Sequence, residues 1–144
     1  MKKILLLVAP VVLFITTSFA ADPNQKVLNA FSKTFQQVKN VTWQDIDNKY
    51  EANFKENNIT FRIMYDQEGN VVKSIRYYFA PTLPIFIQAK LSKKYEGKTV
   101  YGVTEITTDT DVTYHIILQD ATNWIHVQSD SFGNMFTERK LRKA

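Results

Sequence analysis

From Val27 the apolar side chains recur every three or four positions, at Val27, Leu28, Phe31, Phe35 and Val38, which is the stripe of a helix with one buried side. Asp22-Pro23-Asn24-Gln25 supplies its start, with Asp22 as cap, Pro23 in the first helical position and Gln25 completing a capping box. The pattern predicts a helix over about 23–38. A second stripe, Ile87, Leu91 and Tyr95, predicts a helix beginning near Thr82, with Pro84 in its first turn and Gly97 as a left-handed stop. After each stripe the period drops to two. Val41 and Trp43 open a strand after the first helix, and Tyr101 and Val103 do so after the second.

The alternation is clearest where Tyr50, Ala52 and Phe54 interleave with Glu51, Asn53 and Lys55. Asn57-Asn58 follows, and then Phe61, Ile63 and Tyr65 interleave with Arg62 and Met64. Two asparagines tolerate the positive φ of a two-residue hairpin turn. That turn sets Tyr50 opposite Tyr65, Ala52 opposite Ile63, and Phe54 opposite Phe61, placing all six on one side. The same register later in the chain pairs Tyr114 with Ser129, Ile116 with Val127, and Leu118 with Ile125. His115, Ile117, Gln119, Trp124, His126 and Gln128 then fall on the reverse side. Further strands are expected at Val71–Tyr78 and Met135–Arg142, each after an Asp-x-x-Gly-Asn turn.

These turns, Asp66 to Asn70 and Asp130 to Asn134, lie 64 residues apart, as do Tyr50 and Tyr114. Upstream the interval is 60, matching Val27, Phe31 and Phe35 with Ile87, Leu91 and Tyr95, so the halves differ by four residues somewhere after the first strand. The expectation is an α+β protein made of a tandem repeat, about 21–80 and 81–144, each unit a helix plus about four antiparallel strands. A unit of near 60 residues buries too little surface to be comfortable alone, so both should share one domain, 21–144. A helix has one apolar stripe, so the helices should lie on one face of a broad sheet and leave the other open.

The N-terminus carries Lys2 and Lys3, an apolar run over residues 4–15 interrupted by Pro10, and Ser18-Phe19-Ala20. This is the pattern of a cleaved signal peptide over 1–20, too short for a spanning anchor, and it points to a periplasmic or secreted protein without a stable membrane anchor. The absence of cysteine excludes disulfides and a lipid anchor on cysteine. The net charge of +4 loses Lys2 and Lys3 on cleavage, leaving 16 basic against 14 acidic residues, or +2. Arg139, Lys140, Arg142 and Lys143 form the sole basic cluster, read as a charged tail or protected sheet edge; no nucleic-acid partner is expected.

Several short segments, in order, carry a family resemblance: Val41-Thr42-Trp43, the strand at 50–54, Tyr65 through Asn70, Leu83-Pro84, Tyr95-Glu96-Gly97, and the turn from Asp130 to Asn134. In these the chain resembles the PepSY-like, β-lactamase-inhibitor-like family of exported bacterial proteins, over essentially its whole length after residue 20. The resemblance implies a β-lactamase-inhibitor-like fold, in which duplicated units build a broad sheet with helices behind and a concave front. It does not imply inhibition of a β-lactamase.

Reactive chemistry is sparse. His115 and His126 are the only histidines and no third ligand accompanies them, so no metal is expected. The Asp-x-x-Gly-Asn turns lack the further carboxylates of a calcium loop. No nucleophile elbow, catalytic triad or phosphate loop is present, and neither a cofactor nor an enzymatic activity is expected. Trp43, in phase with Val41, belongs to the covered side. Trp124, out of phase with Ile125 and Val127, belongs to the open one, where a large aromatic can anchor a partner. The expected function is non-enzymatic binding of an envelope or extracellular protein or peptide, possible inhibition included, through Trp124, Ile117, His126, Gln128 and His115. The alternative is a small-molecule or glycan binding module of the cell envelope.

Overall fold

The computed structural model describes residues 21–144, so the signal peptide expected at 1–20 lies outside the described residues. Helix α1 (Gln25–Thr34) leads into β1 (Thr42–Ile46), β2 (Lys49–Glu56), β3 (Ile59–Tyr65) and β4 (Val71–Tyr78). A single 3-10 turn, Ala80–Thr82, then leads to α2 (Ile85–Lys94), β5 (Thr99–Thr108), β6 (Val112–Gln119), β7 (Asn123–Asp130) and β8 (Met135–Arg142). The eight strands form one antiparallel sheet whose spatial order is the chain order. Its centre is the β4–β5 pair, registered from Lys73 opposite Thr108 to Tyr78 opposite Val103.

The hairpins follow from their turns. Asn57 and Asn58 have φ of +48° and +63°, and Asp47 and Asn48 of +52° and +59°, the backbone that a two-residue turn with right-handed strand twist requires. Tyr50 faces Tyr65, Ala52 faces Ile63 and Phe54 faces Phe61, as the alternation predicts. In the second half Tyr114 faces Ser129, Ile116 faces Val127 and Leu118 faces Ile125. The interval changes from 60 to 64 residues at the β1–β2 and β5–β6 hairpins, which differ in loop length. Ile46 pairs with Lys49 across two residues, whereas Ile106 pairs with Thr113 across six.

Paired residues share a face, so the register sorts every strand side chain. One face carries both hydrophobic clusters. In the first, Val27 and Phe31 of α1 pack with Ala52, Phe54, Ile63 and Tyr65, and Trp43 and Phe61 lie at its margin. Phe31 meets Trp43 and Phe54 edge-on, each at 5.3 Å between ring centroids, a favoured aromatic geometry. In the second, Ile87 and Leu91 of α2 pack with Tyr78, Val103, Tyr114, Ile116, Leu118, Ile125 and Val127. Between the clusters, in one cross-strand row, Arg76 donates to Glu105 through Nε (3.1 Å) and Nη2 (2.6 Å), and the buried Tyr78 hydroxyl donates to the same carboxylate at 2.6 Å. This is a polar weld at the sheet's midline.

Both helices are shorter than the apolar stripes suggest. Asn24 rather than Asp22 caps α1: its side chain accepts from the Val27 amide at 3.1 Å and donates to the Gln67 carbonyl at 2.9 Å, so the cap is chosen by what the next turn offers. The helix ends at Thr34, because Phe35 leaves helical backbone with φ −121°, yet Phe35 and Val38 still pack on the first cluster from the exit loop. At α2, Thr82 belongs to the 3-10 turn, Pro84 is the cap position with no side-chain bond, and Gly97 adopts φ +72° two residues beyond the last helical turn's cap, Tyr95. The Asp-x-x-Gly-Asn turns are hairpin connections tied by their own aspartates. Asp66 accepts from the Glu68 and Asn70 amides and the Asn70 side chain, and Asp130 does the same with Phe132 and Asn134. Glycine is required at 69, where a Cβ would come within 2.9 Å of the Lys26 carbonyl oxygen.

The sheet has two outer strands. On β1 the Ala21 amide donates to the Trp43 carbonyl at 3.1 Å. The other, β8, carries Arg139, Lys140 and Arg142, so the basic cluster lies in an edge strand, where charge discourages edge-to-edge association.

Candidate interaction face

The face opposite the two clusters is built from cross-strand rows. Lys55, Thr60, Tyr77, Thr104, His115, Gln128 and Phe136 run from β2 to β8 in one. Gly102, Ile117, His126 and Arg139 make the next, and Gln119, Trp124 and Leu141 the last. The five residues expected to bind, His115, Ile117, Trp124, His126 and Gln128, therefore come together on adjacent strands β6 and β7. All are half-buried, as neighbours on a sheet surface shield one another.

Trp124 is less free than its phase alone suggests. Tyr101 meets it edge-on with centroids 4.7 Å apart, and the Lys143 ammonium sits 4.4 Å from the ring centroid. Lys143 is held there by a 3.0 Å bond from Nζ to Gln119 Oε1. The indole is thus the middle of a Tyr101–Trp124–Lys143 ledge. Tyr101 reaches it through a bulge in β5 between Val100 and Gly102, which turns a residue expected in phase with Val103 onto the opposite face. That bulge has no signature in the alternation.

The histidines do not converge on a ligand set. His115 Nδ1 lies 3.7 Å from Glu138 Oε2, and among the described residues no group of three or more His, Cys, Asp or Glu side chains comes together in a way that suits a metal.

A second feature was invisible in the pattern. Glu51, only 3% exposed, accepts from Arg62 Nε and Nη2, both at 3.1 Å, and from the Asn53 amide at 3.1 Å. Bonding first to Glu51 and then to Tyr77 raises the Arg62 pKa further, so the guanidinium is a fixed charge. Its two-pronged geometry fits a structural clamp between β2 and β3. The strand pairing that creates it was legible, since Arg62 is registered with Asn53, but the burial of Glu51 was not.

Exposed aromatics gather where β4 and β5 meet. Tyr77, Phe79 and Tyr101 surround a hollow of about 460 Å³ whose wall also includes Lys55, Thr60, Thr104 and Ile117. Phe79 and Tyr101 are 64% and 53% exposed. This hollow adjoins the ledge, because Tyr101 belongs to both.

No family model matches the chain, and no curated protein matches it significantly. Solved structures do. A DUF2874 family protein from Bacteroides ovatus is 17% identical and superposes with a TM-score of 0.61, over 85% of this chain and 89% of that one. A BLIP-like protein from Bacteroides fragilis is 12% identical, with a TM-score of 0.63 over 86% and 90%. An inferred periplasmic protein from Bacteroides eggerthii is 13% identical, with a TM-score of 0.60 over 85% and 90%. At such identities the likeness shows the fold alone. It carries the β-lactamase-inhibitor-like part of the resemblance and not the PepSY-like part. Among the described residues no helix is long and apolar enough to cross a membrane.

Proposed function

We propose that the chain is an exported, non-catalytic binding protein of the periplasm or exterior, a tandem repeat akin to the PepSY-like proteins, which engages a protein or peptide through the sheet face its helices leave open. The observation that carries this reading is the division of side chains. The buried residues of both helices belong to the two clusters of one face, while the other presents Tyr77, Tyr101, Ile117, Trp124, Phe136 and Leu141 among polar neighbours. Exposed large apolar side chains grouped on one surface mark interaction sites. The fold shared with a BLIP-like protein supports a binding role.

Trp124→Ala is the test, with partner affinity and melting temperature measured on the same variant. The reading expects a loss of about 2 kcal/mol or more in binding, as for an interface anchor, with little change in melting temperature. A large drop in melting temperature with affinity unchanged assigns Trp124 to structure instead. The hollow beside Tyr101 favours a second reading, a small molecule or glycan of the envelope. Saturable binding of such a ligand by the isolated protein, with no protein partner on the face, would select it.

A further inference from the structure

Gly102 stands at the bulge of β5, where a glycine is common, and it leaves the sheet surface bare at that point. It lies inside β5, where a missing side chain forfeits packing and rigidity. Its backbone is not in the positive-φ region that makes glycine necessary at residues 69, 97 and 133. A Cβ built on it meets no atom within 4 Å, so no neighbour in the chain forbids a larger residue. Its pairing with Ile117 and His126 places that empty position on the open face, in the wall of the 460 Å³ hollow, directly after the bulge that presents Tyr101. Besides serving the bulge, a glycine here leaves room for close approach from outside, and a hollow with ring walls lies over it.

The surroundings say what approaches. Tyr77, Phe79 and Tyr101 offer ring surface, and Ile117 an aliphatic side. Among the lining residues Lys55 is the one charge, without an ion pair among the described residues, and no carboxylate faces it. Lys143 and Arg139 add positive charge on the same end of the face. Asn58, Thr60 and Thr104 supply neutral polar groups, so the wall's one formal charge is positive and favours a ring that arrives with negative charge beside it.

Resting on the reading of the open face as a protein-binding surface, we propose that the Gly102 hollow is a socket for an aromatic side chain carried on an acidic segment of the partner. The ring enters over Gly102 between Tyr77 and Tyr101, and flanking carboxylates meet Lys55 and the cations beyond it. Burying a rigid aromatic in a pocket with charge at its rim is the usual anatomy of an interface anchor.

The probe is a synthetic pentapeptide, capped at both ends, of sequence Asp-Glu-Phe-Glu-Asp, titrated into the 15N-labelled protein. Two controls replace Phe by Ala, and the four acids by Lys. The socket expects saturable shifts at the Gly102, Tyr101 and Thr104 amides, with affinity at least tenfold weaker for either control. Gly102→Leu, which occupies the floor of the hollow where the ring would lie, should lose at least tenfold while its melting temperature stays within a few degrees. Lys55→Glu, which leaves the strand interior untouched, should reverse the preference between acidic and basic peptides. Equal binding of the Phe and Ala peptides, no shift at millimolar peptide, or tighter binding of cellohexaose at the same amides would overturn the socket. Shifts centred on Trp124 and His126 instead would overturn it while leaving the open-face reading standing.

Discussion

Single side chains decide which charges this fold tolerates. Glu105 is buried to 5% exposure between Arg76 and Tyr78, at the midline of the sheet. Burial first, and then the bond to Glu105, pushes the Tyr78 pKa well above the ordinary tyrosine range. A proton held more tightly in the folded state than in the unfolded one stabilises fully below pH of about 10 and is lost progressively as pH rises beyond it. The thermal midpoint is therefore expected to fall above pH 10, and to fall less steeply in Tyr78→Phe; identical alkaline profiles for the two proteins would refute this. Arg76→Met strips Glu105 of its cation. Because the arginine is partly solvated, the cost expected is about 2–3 kcal/mol, at or below the lower end for breaking a fully buried pair, read from urea unfolding. Glu105 lies 29 residues from Arg76, and pairing across that distance has no periodic trace in the sequence.

At the scale of elements, alternation and turn chemistry were enough to fix the hairpins and to separate Trp43 from Trp124. Each strand's face follows from phase, and the asparagine turn sets the register without help from the rest of the molecule. The ends of helices and the bulges were not legible, because they are chosen by partners in space. Asn24 takes the cap from Asp22 through its bond to Gln67, and Tyr101 leaves its phase to meet Trp124. The same reason hid Gly102, whose meaning depends on a void. Within these elements, the carboxyls of Asp66 and Asp130 are held below the usual range, first of all by the side-chain amides of Asn70 and Asn134. A depressed pKa gives stability present above pH of about 4 and lost as pH falls below it. Asp66→Asn with Asp130→Asn should flatten the stability profile between pH 5 and 2, measured by thermal melts across that window; an unchanged slope would count against it. Each helix is anchored by two buried residues, Val27 and Phe31 or Ile87 and Leu91, and Phe31→Ala or Leu91→Ala should each destabilise by roughly 2–5 kcal/mol, checked by denaturant unfolding.

For the whole molecule, two core clusters hang from one sheet, joined through the β4–β5 ladder and the Arg76–Glu105–Tyr78 weld. Neither half is large enough to be comfortable alone, so a single cooperative thermal transition is expected, and two resolved transitions in calorimetry would contradict it. On the proposed reading, a partner docks on a surface carried by paired strands of one sheet, which keeps the ordering cost of binding low. The central claim is that this surface is the open face. Site-specific photocrosslinking tests it most directly, with a benzophenone side chain placed in turn at Thr104, Gln128 and Phe136 on that face, and at Lys93 and Ser92 on α2, in protein expressed in its native envelope. The account expects one discrete adduct from the sheet positions, diminished by Trp124→Ala, and none from the helix positions. A discrete adduct from α2 with silence across the sheet would contradict it.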